Sequence, residues 1–291
     1  MATSPSSSVQ KAREAIAARL REMRLDAGLT VESLAELCGW NKSKSSRIEN
    51  TKTLPSDADV RAWCAACEVS DQAADLIAAS RSAESMYVEW RRLNRTGLRR
   101  GQEGRVPLYE RTRLFRIYCA NIIPGLLQTE AYATALLSAI TEFRGTPNDV
   151  TDAVAARLSR SRVIQEGNHR FGLLIEEEVL RHRMGNAATM RGQLEYLLTM
   201  MSLPRVALGV IPFTADRHMW PVETFSIFDD EQVSVELVSA AITVTAPSEI
   251  NLYARAYAEL QRLAVYGPQA RALIRAAVDA LGEPPQQTAT S

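Results

Sequence analysis

The segment that decides the fold of the N-terminal part is Gly28–Asn50, with the sequence GLTVESLAELCGWNKSKSSRIEN. It contains two short helical patterns separated by Gly39. Thr30 is a good N-cap for the first helix because its hydroxyl can accept an amide hydrogen from the first turn. Asn41 is an N-cap residue for the second helix, over Lys42–Asn50. The segment therefore predicts two capped helices joined by a tight turn.

Apolar residues at helical spacing continue on both sides of this segment. They are Ile16, Leu20, Met23, Ala27, Val60, Trp63, Cys64 and Cys67. Gly28 is placed to end the upstream helix in a left-handed cap. A fifth helix is predicted over Asp71–Ser85. Residues 9–82 are therefore predicted to form a mainly α, five-helix domain.

The second helix of the segment carries little apolar area and many polar side chains: Lys42, Ser43, Lys44, Ser46 and Arg47. A helix this polar is kept in place by packing against its neighbours, and its exposed face is expected to bind a polar partner. The major groove of DNA admits such a helix, and an arginine can donate two hydrogen bonds to guanine there. An ordinary helical hairpin with a solvated charged face stays open as the alternative.

An ordered set of motifs resembles the Cro/C1-repressor (XRE) helix-turn-helix family from about Ala15 to Ser70. The motifs are Leu29-Thr30, Leu34-Ala35, Gly39, Arg47-Ile48-Glu49 and Leu54-Pro55. Ser45 departs from the family, which usually has an apolar residue there, and predicts a less firmly seated recognition helix.

The resemblance implies a role for each polar residue of the segment. Asn41 would cap the recognition helix. The residues that would face bases are Lys42, Ser43 and Arg47. Those that would approach phosphates are Thr30, Lys44 and Asn50. The full predicted DNA-binding set is Thr30, Asn41, Lys42, Ser43, Lys44, Ser46, Arg47 and Asn50. Such modules usually bind as dimers on two-fold sites, so a homodimer is expected.

Beyond residue 82 the pattern changes. Residues 83–107 are rich in arginine and glycine and are predicted to be a basic linker. Residues 108–282 are predicted to form a larger α+β domain with a small antiparallel sheet. Its predicted helices are Arg111–Asn121, Thr129–Ile140, Val150–Glu166, Asn186–Met201, Pro247–Tyr266 and Pro268–Leu281. Its predicted strands are Phe171–Ile175, Val206–Ile211, Thr224–Phe228 and Val233–Val238. Residues 1–8 and 283–291 are predicted to be disordered tails.

The second domain resembles the DUF5753-like domain of actinobacterial regulators from about Pro107 to Leu281. The motifs that carry the resemblance are Ile123–Ala133, Arg157-Leu158, Arg160, Glu176–Arg181, Gln193-Leu194 and Val210–Phe213. The resemblance implies a small DUF397-like partner protein and brings no site residues with it. We expect partner contacts at Glu176 and Glu177, as an acidic docking surface, and at Trp220, as an exposed anchor. A solvated acidic face and a tryptophan lid over the core are the alternatives.

Composition limits the other function classes. Lys plus Arg equals Asp plus Glu at 34 each, which argues against a binder driven by charge alone. No apolar run long enough for a membrane span and no secretory signal are present, so a cytoplasmic location is expected. Cys64 and Cys67 lie on the buried stripe of a helix, so we expect reduced thiols and no metal or cofactor.

Three functions follow from these features. The first is a sequence-specific transcriptional regulator whose activity is controlled through its C-terminal domain by a small protein or a ligand. The second is an antitoxin-like protein that sequesters a partner and regulates its own gene. The third is a metal-dependent enzyme hidden in the C-terminal domain, for which Glu178 and His182, together with His169 and His218, would be the ligands.

Overall fold

The computed structural model describes residues 5–82 and 87–282. The chain divides into two compact units. The first comprises residues up to Tyr87 together with Thr243–Asn251, and the second comprises Val88–Ile242 and the residues from Leu252 onward. Of the two predicted tails, residues 1–4 and 283–291 lie outside the described residues, whereas residues 5–8 belong to the first helix.

Five α-helices form the N-terminal segment of the first unit, residues 5–82, as predicted. They are α1 (Pro5–Asp26), α2 (Val31–Leu37), α3 (Lys42–Glu49), α4 (Asp57–Ala66) and α5 (Ala73–Ser82). The predicted turns are confirmed, because Gly28 and Gly39 take φ of +68° and +71°, values that favour glycine. The predicted cap is also confirmed: the Thr30 hydroxyl accepts the Ser33 amide hydrogen at 3.1 Å.

The core of the first unit is built around Trp63. Its side chain is fully buried, and its indole Nε1 donates to the carbonyl oxygen of Leu20 at 3.0 Å. The predicted apolar stripe of α4 is confirmed, since Val60, Cys64 and Cys67 are buried beside it. All these residues belong to one apolar cluster, which α2 and α3 complete with Leu34 and Ile48.

The prediction of a linker over 83–107 is wrong from Val88 onward, because these residues are an integral part of the second unit. They form β1 (Tyr87–Glu89), α6 (Trp90–Leu93) and α7 (Arg99–Glu103), followed by α8 (Val106–Arg111). The amides of Leu98 and Arg99 donate to the Asp149 carboxylate at 2.7 and 2.9 Å. Leu98 is also 96 % buried, at 4 % exposure. Residues 83–86 lie outside the described part of the chain.

A mixed sheet of seven strands runs through the described residues in the order β1-β7-β6-β5-β2-β3-β4. Its other strands are β2 (Leu114–Cys119), β3 (Arg170–Glu176), β4 (Val206–Ile211), β5 (Phe225–Phe228), β6 (Gln232–Glu236) and β7 (Ala240–Val244). Strands β2, β3 and β4 are parallel, whereas β5 pairs antiparallel with both β2 and β6. All four predicted strands are present. The prediction of a small antiparallel sheet is wrong, because helical crossovers make β2, β3 and β4 parallel.

Strand β2 replaces the helix that was predicted over Arg111–Asn121. It pairs with β3 on one side and β5 on the other, so both of its edges are satisfied by backbone hydrogen bonds. Phe115 and Ile117 alternate with Arg116 along the strand. The two apolar side chains lie in the core, and Arg116 lies on the opposite face of the sheet. A short apolar run fits the period of a helix as well as that of a strand. Here the pairing with two distant strands makes the segment a strand.

The remaining predicted helices are present as α9 (Glu130–Arg144), α10 (Val150–Ser161), α11 (Ala187–Met200), α12 (Pro247–Leu263) and α13 (Gly267–Asp279). Thr129 and Asn186 cap α9 and α11 through their side chains. The sheet supplies the centre of the core, where the rings of Phe115 and Phe171 stack with centroids 4.8 Å apart. Within the described residues, no helix combines the length and apolar character that crossing a bilayer requires.

A pair of glycine substitutions tests the packing of the parallel strands. A Cβ atom at Gly209 in β4 would lie 2.8 Å from the Tyr266 ring and 2.9 Å from Leu174. We expect Gly209→Ala to destabilise the protein by about 1–3 kcal/mol through overpacking. Gly192→Ala in α11 meets no atom within 4 Å and should stabilise by about 0.5–1 kcal/mol. Urea unfolding measures both, and equal midpoints for the two variants would contradict the packing described.

Candidate nucleic-acid interface

Helix α3 is seated on the first unit through very few side chains. Only Ser45 and Ile48 of α3 are buried, at 0 and 1 % exposure. The looser seating predicted from Ser45 is offset by a hydrogen bond, since the Trp40 indole Nε1 donates to Ser45 Oγ at 2.8 Å. The buried Ser45 hydroxyl therefore has a hydrogen-bond partner within the protein and is not left unsatisfied.

A buried ion pair adds the third attachment of α3. Arg24 Nε in α1 lies 2.5 Å from Glu49 Oε1, and each side chain is only 7 % exposed. Arg24 Nη1 also donates to the Leu29 carbonyl oxygen at 2.6 Å, which ties the same guanidinium to the turn before α2. The hydrogen bond to Glu49 raises the pKa of Arg24 above its ordinary value, although burial acts in the opposite direction.

Arg24 is absent from the predicted site because an arginine in a helix is usually solvated. A signal was nevertheless available in the sequence. Arg24 lies four residues after Leu20 and next to Met23, and therefore falls on the buried stripe of α1. An arginine on such a stripe needs a buried anion.

The outward face of α3 presents most of the predicted DNA-binding residues to solvent. Those exposed are Thr30, Asn41, Lys42, Ser43, Ser46, Arg47 and Asn50. Asn41 Oδ1 accepts the Ser43 amide hydrogen at 2.8 Å, so the predicted cap of this helix is present. Within the described part of the chain, the Arg47 guanidinium makes no hydrogen bond or ion pair. The structure thus brings a free guanidinium, two hydroxyls and an ammonium onto one helical surface.

The two lysines of this surface differ in how they are held. Lys42 Nζ lies 3.1 Å from Glu32, with both side chains more than half exposed. Lys44 Nζ lies 2.6 Å from Asp59 and 4.4 Å from the centre of the Trp40 ring. Burial alone would raise the pKa of Asp59, but hydrogen bonds from Lys44 and Ser56 outweigh it and lower the pKa. The Lys44 ammonium is therefore already paired within the protein, which argues against its predicted phosphate contact.

Thr30 and Asn50 lie where α2 begins and α3 ends. The Thr30 hydroxyl is shared with Ser33 in a capping box. The Asn50 side chain donates to the Ser46 carbonyl oxygen at 2.7 Å. Both are exposed and fixed by local hydrogen bonds, so each presents a polar edge with little rotational freedom.

The acidic docking surface predicted in the second unit is wrong. Glu176 and Glu177 are buried, at 4 and 6 % exposure. Glu176 accepts from the Tyr118 hydroxyl at 2.8 Å and pairs with Arg217. Glu177 accepts from Arg181 and from the Phe213 amide, each at 3.0 Å. These carboxylates anchor the segments that follow β3 and β4, and they do not face a partner.

Trp220, the third predicted partner contact, is 69 % exposed. The alternative of a lid over the core does not fit this exposure. Its role as a partner anchor stays a prediction.

The residues considered for metal or redox chemistry do not form a centre. The described residues contain no group of three or more His, Cys, Asp or Glu side chains arranged to hold a metal ion. His182 Nδ1 lies 3.2 Å from the Asn121 carbonyl oxygen, and His218 pairs with Glu259 at 3.1 Å. Burial raises the pKa of Cys64 to about 11, so this thiol is protonated at neutral pH and unreactive.

Two family models match the chain. One, a helix-turn-helix domain, matches residues 15–77 and so includes the whole surface just described. The other, a domain of unknown function (DUF5753), matches residues 109–276, more than half of the chain. The protein belongs to the DUF5753 family. No curated protein and no solved structure matches it. The predicted helix-turn-helix domain and DUF5753 domain are therefore confirmed, and the Cro/C1 (XRE) subtype stays a prediction.

A substitution in the buried ion pair tests the seating of α3. Arg24→Met in this DUF5753 protein leaves the Glu49 carboxylate buried without its partner, and we expect a loss of about 3–5 kcal/mol in the unfolding free energy of the first unit. Arg21→Met is the matched control, because Arg21 lies on the same helix and is exposed. The control should leave the urea midpoint unchanged. Similar midpoints for both variants would show that the buried pair does not hold α3.

Proposed function

We propose that this protein is a sequence-specific DNA-binding regulator that places α3 in the major groove. One observation carries the proposal. The Arg47 guanidinium is exposed and unpaired among the described residues, on a helix whose opposite face is fixed by Ile48, Ser45 and Glu49. A free guanidinium on a rigid helix can donate two hydrogen bonds to the O6 and N7 atoms of guanine.

Two neighbours would extend this contact. Lys42 and Ser43 lie in the first turn of α3, the part of a recognition helix that meets base edges. The Lys42–Glu32 ion pair is exposed and therefore weak, so the ammonium can exchange Glu32 for a base or a phosphate. Ser46 and Asn41 complete the polar face.

Phosphate contacts would come from the edges of this surface. Thr30 precedes the N-terminus of α2, where free amides and the helix dipole favour an anion. Asn50 lies at the other end of α3 and offers its amide group. Lys44, which pairs with Asp59, would contribute by fixing Trp40 and α4.

The balance of charge supports binding as a homodimer. With 34 basic and 34 acidic side chains, the whole chain gains little affinity from phosphate neutralisation. Two modules on a two-fold site would supply the missing affinity, with half-sites about 10 base pairs apart. The DUF5753 unit would then provide dimerisation or the response to a DUF397-like partner protein or a ligand, with exposed Trp220 as a candidate partner contact.

Selection from random DNA followed by binding measurements tests the base contact. We expect Arg47→Ala to relax the preference at one base pair of each half-site, at a cost of about 1–3 kcal/mol in discrimination. The physical reason is the loss of a bidentate hydrogen bond that only guanine completes. The binding isotherm and the selected motif of the variant are compared with those of the wild type.

Arg21→Ala is the matched control for this experiment, because Arg21 is an exposed arginine on α1. The control removes the same charge from the unit and should keep the wild-type motif. If Arg47→Ala and Arg21→Ala select the same motif with the same affinity, α3 is not the base-reading helix.

A further inference from the structure

Three arginines converge in the second unit. Arg105 immediately precedes α8, and Arg157 and Arg160 lie three residues apart on α10, which places them on one helical face. The three guanidiniums and the carboxylate of Glu236 at the end of β6 influence one another electrostatically. They therefore form one cluster.

Only one of the three arginines has an anionic partner within the described residues. Arg105 Nη2 lies 2.7 Å from Glu236 Oε1. Arg157 donates to the neutral side-chain carbonyls of Gln128 at 2.6 Å and Gln102 at 3.2 Å. These amide oxygens satisfy hydrogen bonds but do not neutralise the charge.

Arg160 is the least compensated member of the cluster. Its residue surface is 4 % exposed, and its guanidinium lies 4.6 Å from the centre of the Tyr109 ring. Its Nε and Nη1 atoms are buried and have no hydrogen-bond partner. A buried donor without a partner is costly, and a buried cation without one is more so.

The charge balance of the cluster favours an incoming anion. Within this group of four described side chains, three guanidiniums act electrostatically on one carboxylate, which leaves two positive charges. Burial and the positive charge of Arg160 lower the pKa of Arg157 to about 10. Burial would raise the pKa of Glu236, but the arginines outweigh it and hold that pKa below its ordinary value. The lowered pKa of Glu236 is expected for a carboxylate beside several guanidiniums, whereas the lowered pKa of Arg157 comes first from its burial.

The cluster is also reachable. The side chains of Arg105 and Glu236 retain 32 and 48 % of their accessible surface. A cleft of about 350 Å³ reaches the cluster at Arg160 and Tyr109, and Arg162 and the carboxylates of Glu110 and Glu166 also line it. This volume is at the lower end of those of small-molecule sites.

We propose that Arg105, Arg157 and Arg160 form a binding site for a small phosphate-type dianion, either inorganic phosphate or a phosphomonoester. Such a group carries close to two negative charges at neutral pH and several acceptor oxygens. Guanidinium forks that approach from two directions match a tetrahedral anion well. Glu236 holds Arg105 in place when the site is empty. The site lies wholly in the second unit and does not depend on how the first unit binds DNA.

Titration of the full-length protein with inorganic phosphate tests the proposal by calorimetry, with chloride at matched ionic strength as the reference. We expect saturable binding to the wild type. Arg160→Met should weaken it about tenfold or more, the loss typical of one charge-assisted hydrogen bond. Glu236→Gln should tighten it, because the competing carboxylate is removed. Arg275→Met, an exposed arginine on α13, is the matched control and should bind as the wild type does.

The stability of the variants separates this proposal from a purely structural ion network. With a surplus of buried cations, Arg160→Met without phosphate should be as stable as the wild type or more so. Saturable binding that Arg160→Met weakens and Glu236→Gln strengthens supports the site. An absence of saturable phosphate binding to the wild type overturns it. If Arg160→Met fails to fold, the Glu236→Gln titration decides, and binding unchanged from the wild type overturns the proposal.

Discussion

The buried pair of Arg24 and Glu49 is the interaction on which the presentation of α3 depends. Helix α3 exposes most of its polar side chains and has only Ser45 and Ile48 to bury. Hydrophobic burial of one isoleucine contributes too little to fix its orientation. The ion pair and the Trp40–Ser45 hydrogen bond supply directional contacts instead. Ion pairs of this kind add little net stability, but they specify one geometry because any other leaves a charge buried alone.

The same constraint explains how charge is divided across the surface. Lys44 and Asp59 form a partly buried pair that joins α3 to α4. Lys42 and Glu32 are exposed, and Arg47 makes no ion pair within the described residues. Ion pairing is therefore strongest on the face of α3 that packs against the first unit and weakest on its solvent-exposed face. A side chain can recognise a base only if its hydrogen bonds are not already committed within the protein, and Arg47 best meets that condition.

The second unit buries charge in two different ways. Glu176 is satisfied by Tyr118 and Arg217, and Glu177 by Arg181 and a backbone amide, so these carboxylates complete the fold. Arg160, in contrast, keeps two buried donors without partners. Fully satisfied polar networks make a core rigid, whereas a buried donor without a partner calls for an explanation, which for Arg160 is the proposed anion. This contrast assigns a structural role to the acidic pair and a ligand-binding role to the arginine cluster.

Local features of the sequence determined the first unit. Five helices and the polar face of α3 could be predicted because their signals depend on residues a few positions apart. These signals are the caps Thr30 and Asn41, the breaks at Gly28 and Gly39, and the apolar stripe through Trp63.

Features that depend on residues distant in the sequence could not be predicted. Strand β2 has a helical pattern by itself and becomes a strand because β3 and β5 pair with it. In the sequence Glu176 looks like an exposed acidic residue, but in the structure it is paired with Arg217. The pairing of Arg24 with Glu49 and the cluster of Arg105, Arg157 and Arg160 likewise join residues far apart in the chain. Burial and charge compensation are properties of a neighbourhood, and only tertiary structure decides which neighbours a side chain has.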